Sequence, residues 1–168
     1  MNAIDLLKEQ HRHVEKLLKH YQSLEKAPAG QKSKVFGEIA DALAVHATIE
    51  EKIFYPGVKV AQTEEILRES LEEHLAVKRL IADMLDLRPT DQTFDVKLKV
   101  LEGQVTHHVE KEEKELFPKV KKMMTEQHLK ELGQRMEELF DELKQGEPRS
   151  NVPSENGRGT SVGLTRRR

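Results

Sequence analysis

Two stretches of this sequence, residues 46–56 (HATIEEKIFYP) and residues 108–118 (HVEKEEKELFP), repeat one pattern. Each has a histidine, a pair of glutamates that begins four residues later, and an aromatic residue followed by proline. Residues four apart project side by side from an α-helix, so each stretch presents one imidazole and one carboxylate to the same point. The repeat therefore predicts two equivalent helices that each direct a histidine and a glutamate to one side.

The composition of the chain indicates an all-α protein. Its 168 residues are 35% charged and 4% aromatic, with no Trp and no Cys. A core of Leu, Val, Ile and Ala in so charged a chain is typical of helices, and this length suffices for one domain with its own core. The lack of Cys excludes disulfides, iron–sulfur clusters, thiolate zinc sites and cysteine nucleophiles. Any metal must therefore be held by His and carboxylates.

Charge and hydropathy exclude several classes of partner. The N-terminus lacks the basic start and apolar run of a secretory signal, and no stretch approaches the roughly 18 apolar residues of a membrane span. We therefore expect a cytoplasmic protein with no membrane partner. Residues 145–168 carry a net charge of +3, which leaves −5 on the rest of the chain. A body of that sign argues against nucleic acid as the main partner.

Helix-breaking residues and the spacing of apolar residues divide the chain into helices. Breakers occur around Pro28, Pro56, Pro89 and Pro118. Between them, apolar residues at intervals of three and four predict four long helices and a shorter fifth, and cap signals agree at Asn2, Thr63, Asp91 or Thr93, and Thr125. The predicted ranges are about 3–26, 31–55, 64–87, 93–117 and 126–144.

The short connections favour an up-down-up-down four-helix bundle, with the fifth helix completing a domain of residues 1–144. That fifth helix is amphipathic, and we expect it to pack on the end or flank of the bundle. The alternative is that it forms the interface of a homodimer, so the chain is expected to be a monomer or a homodimer. Residues 145–168 have too few apolar residues to fold and are predicted to form a disordered basic tail.

Six polar residues interrupt the apolar seams of the four long helices. They are His11, His46, Glu50, His74, His108 and Glu112. Counted at about 1.5 Å per residue, all six lie roughly 8–15 Å from the same end of an antiparallel bundle, so they are expected to converge on one layer of the core. Burying two ionised glutamates without partners costs several kcal/mol each, and no Lys or Arg occupies these seams. The cluster therefore predicts bound cations.

The donor set favours a pair of metal ions. Four imidazoles and two carboxylates exceed what one tetrahedral zinc needs and include no thiolate. Carboxylates that can bridge suit two metals with open positions, and mixed imidazole and carboxylate donors suit iron best, although manganese accepts similar donors. The sequence has no HExxH motif, and its spacing differs from the Glu-x-x-His of ferritin-like sites.

Four segments carry a resemblance to a known family. They are EQHRHVEKLL, HATIEEKIFYP, EEHLAVKRLI and HHVEKEEKELFP, and in this order they resemble the four helices of a hemerythrin-like domain, also called the HHE cation-binding domain. The resemblance covers about residues 1–118 and is expected to extend to the fifth helix. It implies that the same six residues hold two irons and that Glu50 and Glu112 bridge them. Members of that family bind dioxygen reversibly, sense oxygen or iron, or break down peroxide.

Two positions bear on the comparison with the oxygen carriers of that family. The carriers have a second histidine four residues after the ligand of the third helix, where this chain has Lys78. We interpret Lys78 as a solvated residue, with the alternative that it supports the ligands from behind. One iron would then lose a ligand and gain an exchangeable position, which favours peroxide chemistry, iron handling or sensing. In the fourth helix, His107 also fits the carriers' spacing to Glu112, but the apolar seam and the internal repeat favour His108.

The first functional hypothesis is therefore a non-haem di-iron protein that decomposes hydrogen peroxide, as a catalase does, in protection against oxidative stress. The alternative is non-catalytic, reversible binding or sensing of dioxygen or iron, and a third is a bundle that holds no metal. The other polar residues near the seams are given structural roles. We expect His13, His20 and His128 on the surface and Glu51 and Glu113 facing outward. Tyr21 and Tyr55 are expected to pack in the core, with the alternative that their hydroxyls reach the site.

Overall fold

The computed structural model describes residues 1–146 and 148–151, and the protein is all-α. Its main helices are α1 (Ala3–Ser23), α2 (Ala29–Ile49), α3 (Glu64–Leu85), α4 (Gln92–Lys111) and α5 (Glu126–Lys144). Helices α1 to α4 form the up-down-up-down bundle, and α5 packs against α1 and α2. The described residues contain no β-strand. The predicted fold class is confirmed.

Two of the four predicted helix caps hold their helices by side-chain hydrogen bonds. The Asn2 side chain accepts from the Asp5 N–H at 2.9 Å, and the Thr125 hydroxyl accepts from the His128 N–H at 3.1 Å. Thr63 and Asp91 precede α3 and α4 but make no such bond to them. The Thr63 hydroxyl instead donates to the Val58 carbonyl, which fixes the connection between α2 and α3.

The sequence suggested that the prolines of the two repeated stretches end their helices, but in the structure they do not. After Ile49 and after Lys111 the chain continues as a π-helical turn, Glu50–Phe54 and Glu112–Leu116. A further α-helical segment follows in each case, Tyr55–Gly57 and Phe117–Met123. Each proline falls in the first turn of that new segment, where its missing N–H is tolerated. The predicted end of the fourth helix at residue 117 is therefore wrong.

The core consists of two apolar clusters with the polar layer between them. One cluster contains Phe54 and Phe117 together with Leu132 and Met136 of α5. The other surrounds Phe94 and fills the opposite end of the bundle. The fifth helix therefore covers one end of the bundle within its own chain, as expected. Gly133 allows this close packing, because a Cβ at that position would strike the backbone carbonyl of Met1.

The end of the chain is described only in part. Residues 147 and 152–168, which make up most of the predicted disordered tail, lie outside the described residues, so disorder there stays a prediction. Residues Pro148–Asn151 form a short 3₁₀ helix, and Arg149 donates to the Asp41 carboxylate at 2.8 Å. Among the described helices, none has the length and hydropathy that a membrane span requires.

Candidate metal centre

The six predicted ligands lie together in one buried layer of the bundle. Each of them is at most 7% exposed, and Glu50 and Glu112 are fully buried. Their donor atoms form two groups in which all atoms lie within 4.8 Å of one another. His11, His46, Glu50 and Glu112 make up the first group, and Glu50, His74 and His108 make up the second. The first group is called position A below and the second position B.

Each carboxylate reaches imidazoles of both positions. Glu50 Oε1 lies 3.1 Å from His46 Nε2 and 2.9 Å from His74 Nε2. Glu112 Oε1 lies 3.1 Å from His11 Nε2 and 3.3 Å from His108 Nε2. The two glutamates therefore stand between the positions, one from each copy of the repeated stretch, where a bridging ligand is needed.

The lone pairs of the imidazole nitrogens and carboxylate oxygens in this layer indicate a cation-binding site. His74 Nδ1 and His108 Nδ1 each lie 2.8 Å from a glutamate oxygen, so with those nitrogens protonated the Nε2 atoms carry lone pairs. These two Nε2 atoms are 3.2 Å apart. Among the described residues, Glu50 Oε2 is buried without a hydrogen-bond partner, and so is His46 Nε2, whose 3.1 Å contact with Glu50 Oε1 lacks the geometry of a hydrogen bond. Buried lone pairs that face one another are costly unless a cation lies among them, so the residues fit metal ions.

Protons would take the place of metal when no ion is bound. Burial lowers the pKa of His11, His74 and His108, but hydrogen bonds and charge from the neighbouring glutamates outweigh it and raise all three pKa values. Burial likewise raises the pKa of Glu50, and the surrounding imidazoles, with the charge of His46 foremost, hold it well below its usual value. Because a metal must displace these protons, metal affinity is expected to fall as the pH falls.

Behind each of the four imidazoles, on the Nδ1 side of the ring, a hydrogen bond joins it to a residue that adjoins a ligand in the sequence. His11 Nδ1 lies 2.7 Å from Glu113 and His74 Nδ1 lies 2.8 Å from Glu51. The other two pairs are His46 Nδ1 with Gln10 Oε1 at 2.7 Å and His108 Nδ1 with Glu73 at 2.8 Å. Such partners fix the ring orientation and the tautomer of a metal-binding histidine. The expectation that Glu51 and Glu113 face outward is wrong, because both turn inward to an imidazole.

Three of these partners also contact a cation. Lys78 donates to both oxygens of Glu51, Lys111 donates to Glu73 at 3.2 Å, and Arg12 donates to Glu113. Burial raises the pKa of Glu73, but hydrogen bonds from His108 and Lys111 outweigh it and lower the pKa to about 2. Lys78 is only 6% exposed, so the interpretation of it as a solvated residue is wrong. Its aliphatic stem is buried while its ammonium group reaches Glu51.

Two aromatic residues at equivalent places in the repeat, both in the apolar cluster that α5 covers, stack on histidines of the layer. The Tyr55 ring stacks on His74 with centroids 5.5 Å apart, and the Phe117 ring stacks on His11 at 5.9 Å. The Tyr55 hydroxyl donates to Glu112 Oε2 at 2.8 Å and lies 3.3 Å from both Glu50 Oε1 and His74 Nε2. Tyr55 is packed in the core as expected, but its hydroxyl is part of the site. Phe117, at the equivalent place, has no hydroxyl.

An apolar cavity of about 40 Å³ adjoins the four histidines on the side that Glu50 and Glu112 do not line. Its walls include Val77, Ile81 and Val105, with Lys78 and Glu73 at its edge. A cavity of roughly 10–15 Å³ holds one water molecule, so this one has room for a molecule of two heavy atoms. A small molecule therefore has room on the imidazole side of the layer.

The remaining histidines lie away from the layer. The His107 side chain is 71% exposed and contacts Glu73 at 3.4 Å, whereas His108 is buried among the donors. The preference for His108 over His107 therefore agrees with the position of the two side chains. His13 and His20 are exposed as expected. His128 is half-buried instead, and its Nε2 lies 2.6 Å from the Gly57 carbonyl oxygen.

Sequence reasoning missed the residues behind the ligands, although a signal for them exists. They are Gln10, Glu51, Glu73 and Glu113, together with the cations Arg12, Lys78 and Lys111. All four hydrogen-bonding partners come directly before a ligand histidine or directly after a ligand glutamate. A polar residue directly after each ligand glutamate and directly before the ligand histidines of α1 and α3 could have identified them.

Comparisons with known proteins agree with this geometry. The chain is 30% identical over 122 residues to a DNA nickase of Nostoc sp. (strain PCC 7120), a match that covers 72% of this chain. The chain spans only about a third of that relative's length. Its fold is similar to the crystal structure of a hemerythrin HHE cation binding domain-containing protein from Mycobacterium kansasii, with a TM-score of 0.72 and 21% identity over 98% of each chain.

The family itself is identified by a direct match over most of the chain. The family model described as the hemerythrin HHE cation binding domain matches residues 2–120, which include all six predicted ligands and all four helices of the bundle. With its buried cluster of histidines and glutamates, the chain belongs to the hemerythrin HHE cation-binding domain family.

Proposed function

We propose that this chain holds two iron ions and decomposes hydrogen peroxide in protection against oxidative stress. His11 and His46 would hold one ion and His74 and His108 the other, with both buried glutamates shared between them. When bound, the iron pair supplies the two electrons that reduce one peroxide to water and recovers them from a second peroxide, which leaves as dioxygen. Two peroxides thus give two waters and one dioxygen.

The observation that carries this proposal is the phenol inside the donor cluster. The Tyr55 hydroxyl donates to Glu112 at 2.8 Å and lies 3.3 Å from Glu50 and from His74. Burial and the charges of both glutamates raise the pKa of Tyr55 well above its usual value, an effect that bound cations beside those glutamates would oppose. Cleavage of an O–O bond needs a proton at the departing oxygen, and a buried hydroxyl beside a carboxylate can donate and recover one.

Open ligand positions support the same proposal. Lys78, which stands where the oxygen carriers have a further histidine, donates to Glu51, so His74 is the single imidazole that α3 brings to the layer. Two imidazoles and shared carboxylates leave positions for peroxide oxygen on each ion. Because Glu50 and Glu112 are fully buried, they would keep both ions in place without competition from water.

Oxygen evolution from peroxide tests the proposal. The iron-loaded chain should release dioxygen over many turnovers, and Tyr55→Phe should slow this by about 100-fold while it retains both irons, because a positioned proton donor contributes roughly 10²–10⁴-fold. Tyr21→Phe is the matched control, because Tyr21 belongs to the apolar cluster at the other end of the bundle and should leave the rate unchanged. An iron-loaded chain that releases no dioxygen would contradict peroxide decomposition.

A second candidate function is reversible binding or sensing of dioxygen. The apolar cavity beside the histidines favours it, because an apolar diatomic enters such a space without losing hydrogen bonds to water. A spectral change that reverses each time oxygen is added and removed, without peroxide turnover, would support this function over the first.

The expected partners are small molecules, namely hydrogen peroxide or dioxygen, with the chain acting as a monomer or a homodimer. The DNA nickase name belongs to a relative of which this chain covers about a third, so we do not extend that activity to it. The net charge of −5 over residues 1–144 disfavours a DNA surface there. Nicking of supercoiled DNA by the purified chain would overturn this view.

A further inference from the structure

The bundle consists of two helical hairpins, α1–α2 and α3–α4, which hold their histidines in the same way with one exception. Gln10 comes directly before His11, and Glu73 comes directly before the equivalent His74. Each of these side chains hydrogen-bonds the histidine of the next long helix, Gln10 to His46 at 2.7 Å and Glu73 to His108 at 2.8 Å. The internal repeat therefore has an amide in one hairpin where it has a carboxylate in the other.

This exception gives positions A and B different surroundings. At position B both imidazoles donate to a carboxylate, His74 to Glu51 and His108 to Glu73. At position A only His11 does so, because His46 donates to the neutral amide of Gln10. One anionic partner therefore stands behind position A and two stand behind position B.

A carboxylate behind an imidazole makes it a stronger ligand. The anionic acceptor draws the Nδ1 proton more strongly than an amide oxygen does, which makes the opposite nitrogen more basic. The neighbouring cations do not cancel the difference. Lys111 donates to Glu73 Oε2, whereas His108 donates to Glu73 Oε1. The carboxylate oxygen that accepts from His108 is therefore not shared with Lys111.

The remaining pair of imidazoles is balanced between the two positions. Arg12 donates to the same oxygen of Glu113 that accepts from His11. Lys78 donates to both oxygens of Glu51, including the one that accepts from His74. The glutamate that accepts from His11 and the glutamate that accepts from His74 thus each also accept from a cation. The difference between positions A and B therefore comes from Gln10 and Glu73.

We propose that Gln10 makes the two metal positions unequal, so that the ion held by His11 and His46 binds more weakly and leaves first. The inference rests on the proposed pair of ions and adds which of them is exchangeable. Replacement of a partner behind a metal-binding histidine changes metal affinity by roughly 10–100-fold, and we expect a difference of about that size between the positions. Gln10 acts here as a positioning residue through His46.

Competition with a colorimetric ferrous chelator under anaerobic conditions tests the inference on the full chain. Wild type should release ferrous iron in two equal steps whose affinities differ by about 10-fold or more. Gln10→Glu should strengthen the weaker step by about 10-fold and leave the other unchanged. Glu73→Gln should weaken the stronger step, and the double exchange should restore two steps. Gln31→Glu, on the exposed first turn of α2, controls for added charge and should change neither step.

Diffraction at the iron absorption edge identifies the ion that leaves. Half-depleted wild-type crystals should retain iron beside His74 and His108, and crystals of the double exchange should retain it beside His11 and His46. Iron retained beside His11 and His46 in wild type would overturn the inference, as would two ions released at one affinity or a Gln10→Glu variant that releases iron like wild type. A wild-type chain that binds a single ion would instead overturn the proposed pair.

Discussion

Replacing Glu50 by the isosteric Gln should separate the metal-dependent part of stability from the rest. Glu50 is fully buried, and its Oε1 lies within 3.6 Å of three imidazole nitrogens, those of His46, His74 and His108. Its other oxygen has no hydrogen-bond partner among the described residues. Glu50→Gln removes the negative charge and the shared carboxylate while it preserves the volume of the side chain.

The size of the effect follows from binding linkage. Two ions present at about 1,000 times their dissociation constants stabilise the fold by roughly 4 kcal/mol each. If Glu50→Gln weakens each ion by about 100-fold, roughly 5 kcal/mol of that is lost, and at about 2–4 °C per kcal/mol the iron-loaded melting temperature falls by about 10–20 °C. In the metal-free chain, loss of charge-assisted hydrogen bonds should cost only about 1–3 kcal/mol.

Scanning calorimetry of the metal-free and iron-loaded chains measures both values. The melting temperature gained on adding iron should shrink by about 10 °C or more in Glu50→Gln, as the two ions lose their shared ligand. Glu115→Gln is the matched control, because Glu115 is exposed in the second π-helical turn and should gain as much from iron as wild type does. A Glu50→Gln chain that gains as many degrees from iron as wild type would refute the role of Glu50.

Three further predictions concern single side chains. His108→Ala should lose one iron per chain by metal analysis, while His107→Ala, whose side chain is largely exposed, should keep both. Loss of iron from His107→Ala but not from His108→Ala would reverse the assignment. In chemical denaturation, Gly133→Ala should lose about 1–3 kcal/mol because its Cβ meets the Met1 carbonyl, while Gly103→Ala, with open space at its Cβ, should gain about 0.5–1 kcal/mol. Tyr21 has a buried hydroxyl with no partner among the described residues, and burial raises its pKa to about 12. Its contribution to the free energy of unfolding is therefore constant below about pH 10, the pKa in the unfolded chain, and declines as the pH rises to about 12. The free energy of unfolding should therefore fall less steeply in Tyr21→Phe than in wild type over that range, and identical slopes would contradict the prediction.

The helices and the polar layer could be predicted because they depend on periodicity. Residues such as His46 and Glu50 fall on the apolar seam at helical spacing, and counting from the helix ends brings them level with His11 and His74. The structure brings all six together in that layer. Helix spacing and burial cost therefore suffice to find a polar cluster of this kind without knowledge of the tertiary contacts.

The partners behind the ligands could not be derived in that way. Gln10 and Glu73 lie off the seam of their own helices and acquire their role only through a histidine on a neighbouring helix. The same holds for Lys78, whose burial depends on the position of Glu51 across the bundle. Helical periodicity describes which residues share a face, whereas these contacts depend on how two faces meet.

The π-helical turns were missed for a local reason. Proline predicts the end of a helix, because it lacks an N–H and its ring clashes with the preceding turn. In this chain the N–H of Tyr55 donates to the Glu50 carbonyl five residues back, and the helix resumes with Pro56 in its first turn. A proline six residues after a buried ligand glutamate is therefore compatible with a continuous helix when a π turn precedes it.

The central claim is that the buried layer holds a pair of metal ions, and metal analysis of the chain tests it most directly. After reconstitution with ferrous iron without oxygen and removal of unbound metal, we predict two irons per chain. Exposure to air should then produce the near-ultraviolet charge-transfer bands of bridged ferric iron. One iron or none per folded chain, measured under the same conditions, would contradict the claim.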